Sequence, residues 1–132
     1  MVIFAPRFFG VVPIILALAA CGPKADPAAV ARGAQVFADN CEICHRIDAD
    51  LQSKSAATGP DLQGIVGRKA GTLTDYQYSP AMKAASIIWD EPTLARFLKE
   101  PQAVVPQNQM GFFGLSDPQS IKDLTLFLQS RS

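Results

Sequence analysis

The chain has 132 residues, 48% of them hydrophobic, and its 12 basic and 12 acidic side chains leave a formal net charge of zero. That balance argues against a nucleic acid or a strongly acidic partner, because no basic stripe is present to attract one. No internal repeat and no Walker-type phosphate loop is visible. Three cysteines and one histidine are few enough to be weighed one by one.

Residues 1–20 read as a secretory leader. Arg7 is the lone positive charge ahead of the apolar stretch Phe8–Ala20, which ends in small residues. Gly10 and Pro13 interrupt that stretch, and it is short for a membrane span. Leu18-Ala19-Ala20-Cys21 looks like a bacterial lipobox, in which the cysteine thiol is lipidated and becomes the new N-terminus. Ala17-Leu18-Ala19 offers ordinary signal-peptidase cleavage as the rival. The lipoprotein is the preferred reading, since Cys21 is otherwise an odd thiol in an oxidising compartment. Lipidation would tether the protein to a membrane surface facing the periplasm. Residues 21–26 then form the tether, and residues 27–132 one domain with a small core.

The first helix is expected to start at Asp26-Pro27, an N-cap followed by proline at the first helical position. Val30, Gly33, Ala34 and Phe37 follow at i, i+3, i+4 and i+7 and mark one apolar face. Just beyond lies Cys41-Glu42-Ile43-Cys44-His45, which contains the chain's single histidine. This is the attachment pattern of a c-type haem, where two thiols add across the vinyl groups and the histidine takes an axial position on iron. On a helical turn residues i and i+3 share a face, so both sulfurs reach one edge of a flat ring. The next residue then turns its imidazole over the metal. A disulfide, half of a zinc site and a thioredoxin-like redox pair are the alternatives. Zinc needs two more ligands, and the only other thiol, Cys21, is better explained by the leader. A redox pair needs a βαβ setting that the flanking residues do not offer. One haem c attached through Cys41 and Cys44 is the expected cofactor, and its apolar macrocycle would supply interior that so small a domain lacks.

Glycine- and proline-rich loops separate the helices, with Gly59-Pro60, Gly64, Gly67 and Gly71 on one side and Pro101, Pro106, Gly111 and Gly114 on the other. Loops this long normally count against an assignment. Here irregular chain must wrap both faces of a disc. A short helical piece is expected over Pro80–Ala85. The second main helix begins near Asp90-Glu91-Pro92, carries Leu94, Phe97 and Leu98, and stops at Pro101. The third opens at Asp117-Pro118 and carries Ile121, Leu124, Thr125 and Leu128. No run alternates long enough to make a strand. The expected fold is all-α: three main helices and a short one, with long loops around a covalent haem.

A bis-histidine haem is impossible with one histidine, so the second axial ligand is sought among soft groups. Met82 and Met110 are the methionines left once Met1 is removed. Met82 belongs to the short helix and reads as core filler. Met110 lies in an extended loop flanked by glycine and aromatics, which suits a ligand reaching over a haem face. Met110 is therefore preferred over Met82, a lysine or an open position. Imidazole and thioether together raise the reduction potential and leave no vacant position for oxygen or peroxide. Such a site passes single electrons and makes no bonds, so an enzyme is not expected.

Together these residues resemble the class I cytochromes c of the mitochondrial and bacterial soluble type, over nearly all of Gly33 to Leu128. Gly33-x-x-x-Phe37 and the haem motif resemble the family's first helix. Thr58-Gly59-Pro60-Asp61-Leu62-Gln63-Gly64 resembles its proximal loop. Gly67-Arg68-Lys69-Ala70-Gly71, Tyr76-x-Tyr78-Ser79, Ile88-Trp89 and Asp123–Leu128 follow in the family's order. The resemblance implies that the Pro60 carbonyl accepts a hydrogen bond from His45, fixing its tautomer. It implies that Arg68, Tyr78 and Trp89 approach the haem propionates, with Asn108 as a further donor toward one of them. Gly33 would let the first and last helices cross closely.

Two departures from the family stand out. The segment from His45 to Gly59 is longer than in the short mitochondrial form, with Asp48, Asp50, Gln52 and Ser53 in a polar bulge. Pro106-Gln107-Asn108-Gln109 replaces the family's frequent proline, glycine, threonine and lysine, so Gln107 must take a backbone conformation that glycine adopts more easily. Gln102, Gln107 and Gln109 leave the methionine side without steering lysines, and docking should depend weakly on ionic strength. The expected protein is a monomeric, periplasmic, membrane-tethered carrier between a redox donor and an acceptor. The alternatives are a cytochrome subunit of a dehydrogenase or reductase complex, and a haem gas sensor or enzyme with an open sixth position.

Overall fold

The computed structural model describes residues 25–47 and 58–132. The leader at 1–20, Cys21 with most of the tether, and the polar bulge at 48–57 lie outside the described residues. The helices are α1 (Pro27–Asn40), α2 (Pro80–Ala84), α3 (Glu91–Lys99), α4 (Pro101–Val104) and α5 (Pro118–Gln129). Proline stands at the first or second position of every one. Its fixed φ suits a helix start, and its missing N–H would have no partner there anyway. Four starts also have a side-chain cap. Asp26 accepts from Ala28 N–H, Ser79 from Met82, Asp90 from Thr93, and Asp117 from Gln119 and Ser120. Each such cap stabilises a start by about 1 kcal/mol.

One expectation about helix ends is corrected. Pro101 does stop α3, but it also opens the single turn α4. Glu100, forced from helical geometry by the proline that follows it, sits at φ −144° and ψ 79° between the two. Among the described residues no strand forms. A single antiparallel bridge joins Lys69 to Ile88, where Trp89 N–H donates to the Arg68 carbonyl at 2.9 Å. That bridge fixes the backbone on both sides of the tryptophan.

α1 and α5 cross at Gly33. A Cβ built there would stand 2.6 Å from the Asp123 carbonyl carbon and 2.7 Å from Phe127 Cβ, so only glycine permits the approach. One turn further on, the Phe37 and Phe127 rings meet with centroids 5.5 Å apart. An ion pair closes the other side of the crossing. The half-exposed Arg32 donates from Nε at 2.6 Å and from Nη2 at 3.2 Å to the buried Asp123 carboxylate. Gln119 donates to the same carboxylate at 2.9 Å. With three donors, the carboxylate is buried without an unpaired charge.

The Arg32 hydrogen bond holds Asp123 below the ordinary carboxylate range, against the opposing effect of burial and with help from Gln119. A depressed folded-state value stabilises the fold above the unfolded value, and that contribution is lost as pH falls through the depressed one. Asp123→Asn should therefore lower the thermal midpoint at neutral pH and flatten its decline between about pH 5 and about pH 2. Circular dichroism melts of the holoprotein across that range check this. An acid limb identical in both proteins would remove the ion pair from the account.

Candidate functional site

The inner faces of the helices do not close on one another. Leu94, Phe97 and Leu98 of α3, Leu124 and Leu128 of α5, and Phe37 of α1 are all buried. Yet they line a cavity of about 290 Å³. Without a guest those apolar faces would stay in contact with water and forfeit part of the burial that drives folding. The interior is therefore shaped for a large apolar guest.

One wall of the cavity is the turn that follows α1. Cys44 N–H and His45 N–H both donate to the Cys41 carbonyl, at 3.0 and 2.8 Å. Cys41, Cys44 and His45 all line the cavity from this turn, as the i, i+3 argument requires. The two cysteines are not joined, which removes the disulfide reading. Among the described residues no group of three His, Cys, Asp or Glu side chains could hold a metal ion. Burial first, and Cys44 second, push the free Cys41 thiol up to about 11. A redox cysteine needs the opposite shift. An apolar wall carrying two thiols at one rim is the donor set that a covalently bound porphyrin requires.

The His45 ring is fixed from behind. Its Nδ1 lies 2.7 Å from the Pro60 carbonyl, and a carbonyl can only accept, so Nδ1 carries the proton. Nε2 is left with its lone pair for a metal. Burial lowers the imidazole's proton affinity, against the Pro60 bond and nearby Asp61, and the neutral form prevails near neutral pH. The loop bearing Pro60 is tied to the haem-motif turn by Gly59 N–H to the Cys44 carbonyl at 2.8 Å and Leu62 N–H to the Arg46 carbonyl at 2.9 Å. A Cβ on Gly59 would stand 2.5 Å from His45 Cε1 and 2.7 Å from Nδ1.

Pro60, Tyr78, Trp89 and Met110 also line the cavity. Trp89 is buried and stacks edge-on against Phe97 at 4.9 Å. Burial raises the Tyr78 phenol, with Arg68 opposing, so the hydroxyl remains a donor. Two residues expected among the cofactor contacts stand elsewhere. Arg68 is not in the cavity wall; its Nη2 donates to the Asp61 carbonyl at 2.8 Å and its Nη1 to the Gln63 carbonyl at 3.2 Å. It braces the proximal loop instead. Asn108 is buried behind the wall, with its Nδ2 on the carbonyls of Pro101 at 3.1 Å and Val105 at 2.7 Å. Those two bonds use both of its hydrogens.

Two further cavity residues were read differently from the sequence. Met82, taken as core filler, lines the same cavity as Met110. Tyr76 also lines it, donating from its hydroxyl to the Thr58 carbonyl at 3.0 Å and meeting Tyr78 edge-on at 4.8 Å. The i, i+2 spacing of two tyrosines in extended chain was the available signal, since such residues share a side.

A small all-α domain with this cavity defines a class of covalent haem carriers, and comparison with known proteins narrows it. The cytochrome c family profile matches residues 30–132. Cytochrome c2 of Rhodomicrobium vannielii is 40% identical over 100 residues, covering 76% of this chain and 77% of that protein. Cytochrome c of Sesamum indicum is 38% identical over 106 residues, covering 80% and 93%. A cytochrome c homolog of Rickettsia bellii is 38% identical over 108 residues, which is 82% of this chain but only 61% of that longer protein. The structure of cytochrome cH from Methylobacterium extorquens superposes with a TM-score of 0.68 at 34% identity, covering 76% of this chain and 97% of that one. The chain belongs to the cytochrome c family. It carries one haem c, covalently bound through Cys41 and Cys44, and it is an electron carrier rather than an enzyme.

Gly59→Ala is expected to push the His45 ring and its loop apart, lowering holoprotein stability by about 1–3 kcal/mol as overpacking does. Guanidinium denaturation followed by haem absorbance measures it. An unshifted midpoint would mean that the loop yields freely.

Proposed function

We propose that this domain is a periplasmic single-electron carrier whose haem iron is held between His45 Nε2 and the Met110 thioether. The observation that carries the reading is the one cavity lined by both side chains, with the imidazole already locked in the tautomer that leaves Nε2 free. Met110 is favoured over Met82, the other thioether in that wall. Met82 belongs to the turn α2, with its N–H on the Ser79 hydroxyl at 3.2 Å, whereas Met110 sits in extended chain free to present its sulfur. Iron held by an imidazole and a thioether exchanges one electron without offering a position to oxygen or peroxide. The chain's part is to exclude water with an apolar wall, to hold the two ligands, and to offer Trp89 and Tyr78 as donors to the propionates.

The lipobox-like Leu18–Cys21 sequence supports a tether at Cys21, which would raise the carrier's effective concentration near membrane partners. Among the described residues no helix is long and apolar enough to cross a membrane. For docking, the segment 101–116 around Met110 contains no charged side chain, and Phe113 within it is 99% exposed. An uncharged face of this kind suits a donor and an acceptor recognised by apolar contact rather than by steering.

Met110→Ala should lower the reduction potential and abolish the weak red sulfur-to-iron band of the oxidised protein, while Met82→Leu leaves both. Loss of the band in Met82→Leu alone would reverse the assignment, and carbon monoxide binding to unmutated ferrous protein would argue for an open position. Association with the native partner should change less than about threefold between 50 and 500 mM salt, because no cluster of exposed charge is there to be screened. A steep decline in stopped-flow rates would contradict the docking face.

A further inference from the structure

The segment that presents Met110 is held by two neutral side chains, and we propose that Gln102 and Asn108 form an amide clasp that positions Met110 and keeps the sixth iron position closed. The inference rests on the Met110 reading above. Asn108 is 6% exposed, and its amide has two chemically different ends. Nδ2 donates to the carbonyls of Pro101 and Val105, and Oδ1 accepts from Met110 N–H at 3.0 Å. Carbonyls only accept and a backbone N–H only donates, so the group between them must have two hydrogens at one end and an acceptor at the other. Among side chains of this length, only asparagine meets that demand. Aspartate would set a carboxylate oxygen against two carbonyl oxygens.

Gln102 completes the arrangement from outside. Its Nε2 donates to the Asn108 carbonyl at 3.0 Å, and its Oε1 accepts from Gln107 N–H at 3.1 Å. Gln107 sits at φ +64°, a left-handed conformation that costs a non-glycine residue about 1–2 kcal/mol. The loop is thus held in a turn it would otherwise relax from, and the two residues restraining it are the second of α4 and the last but one before the ligand. Three side-chain hydrogen bonds tie α4 to Gln107 and Asn108, and two more join Asn108 to Val105 and to Met110. All are neutral, so they neither titrate near neutrality nor weaken with salt. Neither clasp residue lines the cavity. They act through Met110 as positioning residues.

The test uses ferric holoprotein and imidazole as an entering ligand, whose binding rate at saturation reports how often the sixth position opens. Asn108→Ala removes three of the hydrogen bonds and should raise that opening rate at least tenfold, with a weakened red band. Gln102→Ala removes two from an exposed residue, threatens no core packing, and should raise it by up to about thirtyfold at about 1 kcal/mol per bond. Gln102→Glu keeps only the acceptor and should not restore the slow rate. Amide hydrogen exchange at Met110 should quicken in Asn108→Ala, and at Gln107 in Gln102→Ala. A wild-type red band together with unchanged opening rates in both variants would overturn the clasp while leaving Met110 as ligand. A wild-type protein lacking the band would overturn both.

Discussion

α1 and α5 meet at their crossing, but beyond it their inner faces and that of α3 leave a gap. Leu94, Phe97 and Leu98 on one side and Leu124 and Leu128 on the other are spaced to bury themselves, yet they enclose about 290 Å³ of shared space. Among the described residues no side chain fills it. The haem therefore belongs to the hydrophobic core as much as to the redox chemistry, and the two roles share one set of residues. The apolar wall that excludes water from the iron is the same surface whose burial drives folding. Function and stability are hard to separate in such a molecule.

From that constraint the division of labour among the loops follows. The chain around the cavity is largely irregular, and its described segments are braced by hydrogen bonds, some behind the wall and some from residues within it. Arg68 holds the carbonyls of Asp61 and Gln63, and Tyr76 holds that of Thr58. The Pro60 carbonyl aligns His45, and the amides of Gln102 and Asn108 fix the chain before Met110. Keeping the Arg68 guanidinium and the Gln102 and Asn108 amides behind the wall satisfies the loop backbone and leaves the cavity side largely apolar. Arg32 and Asp123 do the same service for the helix crossing, since they hold α1 to α5 without intruding on the interior.

Much of this was legible because it is written in short-range chemistry. Asp26-Pro27, Ser79-Pro80, Asp90-Glu91-Pro92 and Asp117-Pro118 each announce a helix start by capping and by a fixed φ, and all four are helix starts. The pentapeptide Cys41–His45 carries its own geometry, and the family resemblance implied the close crossing that glycine at position 33 permits. Long-range pairings were not legible. Arg32 and Asp123 are 91 residues apart, and nothing local marks them as partners. Arg68 and Asn108, expected at the propionates, fall outside the cavity wall for a related reason. A family likeness carries over the identity of a donor, but its acceptor is set by the three-dimensional course of the loop. In both cases a nearby backbone carbonyl took the hydrogen bond. Pro101 misled in another way, because a residue that ends one helix is equally suited to begin the next.

The most direct check of the account compares far-ultraviolet circular dichroism of the holoprotein with that of a Cys41→Ala, Cys44→Ala chain prepared without haem. If the guest completes the core, the haem-free chain should lose most of its helical signal and show no cooperative thermal transition. A haem-free chain that keeps the full helical signal and melts cooperatively would mean that the side chains close the interior unaided, and the central claim would fall.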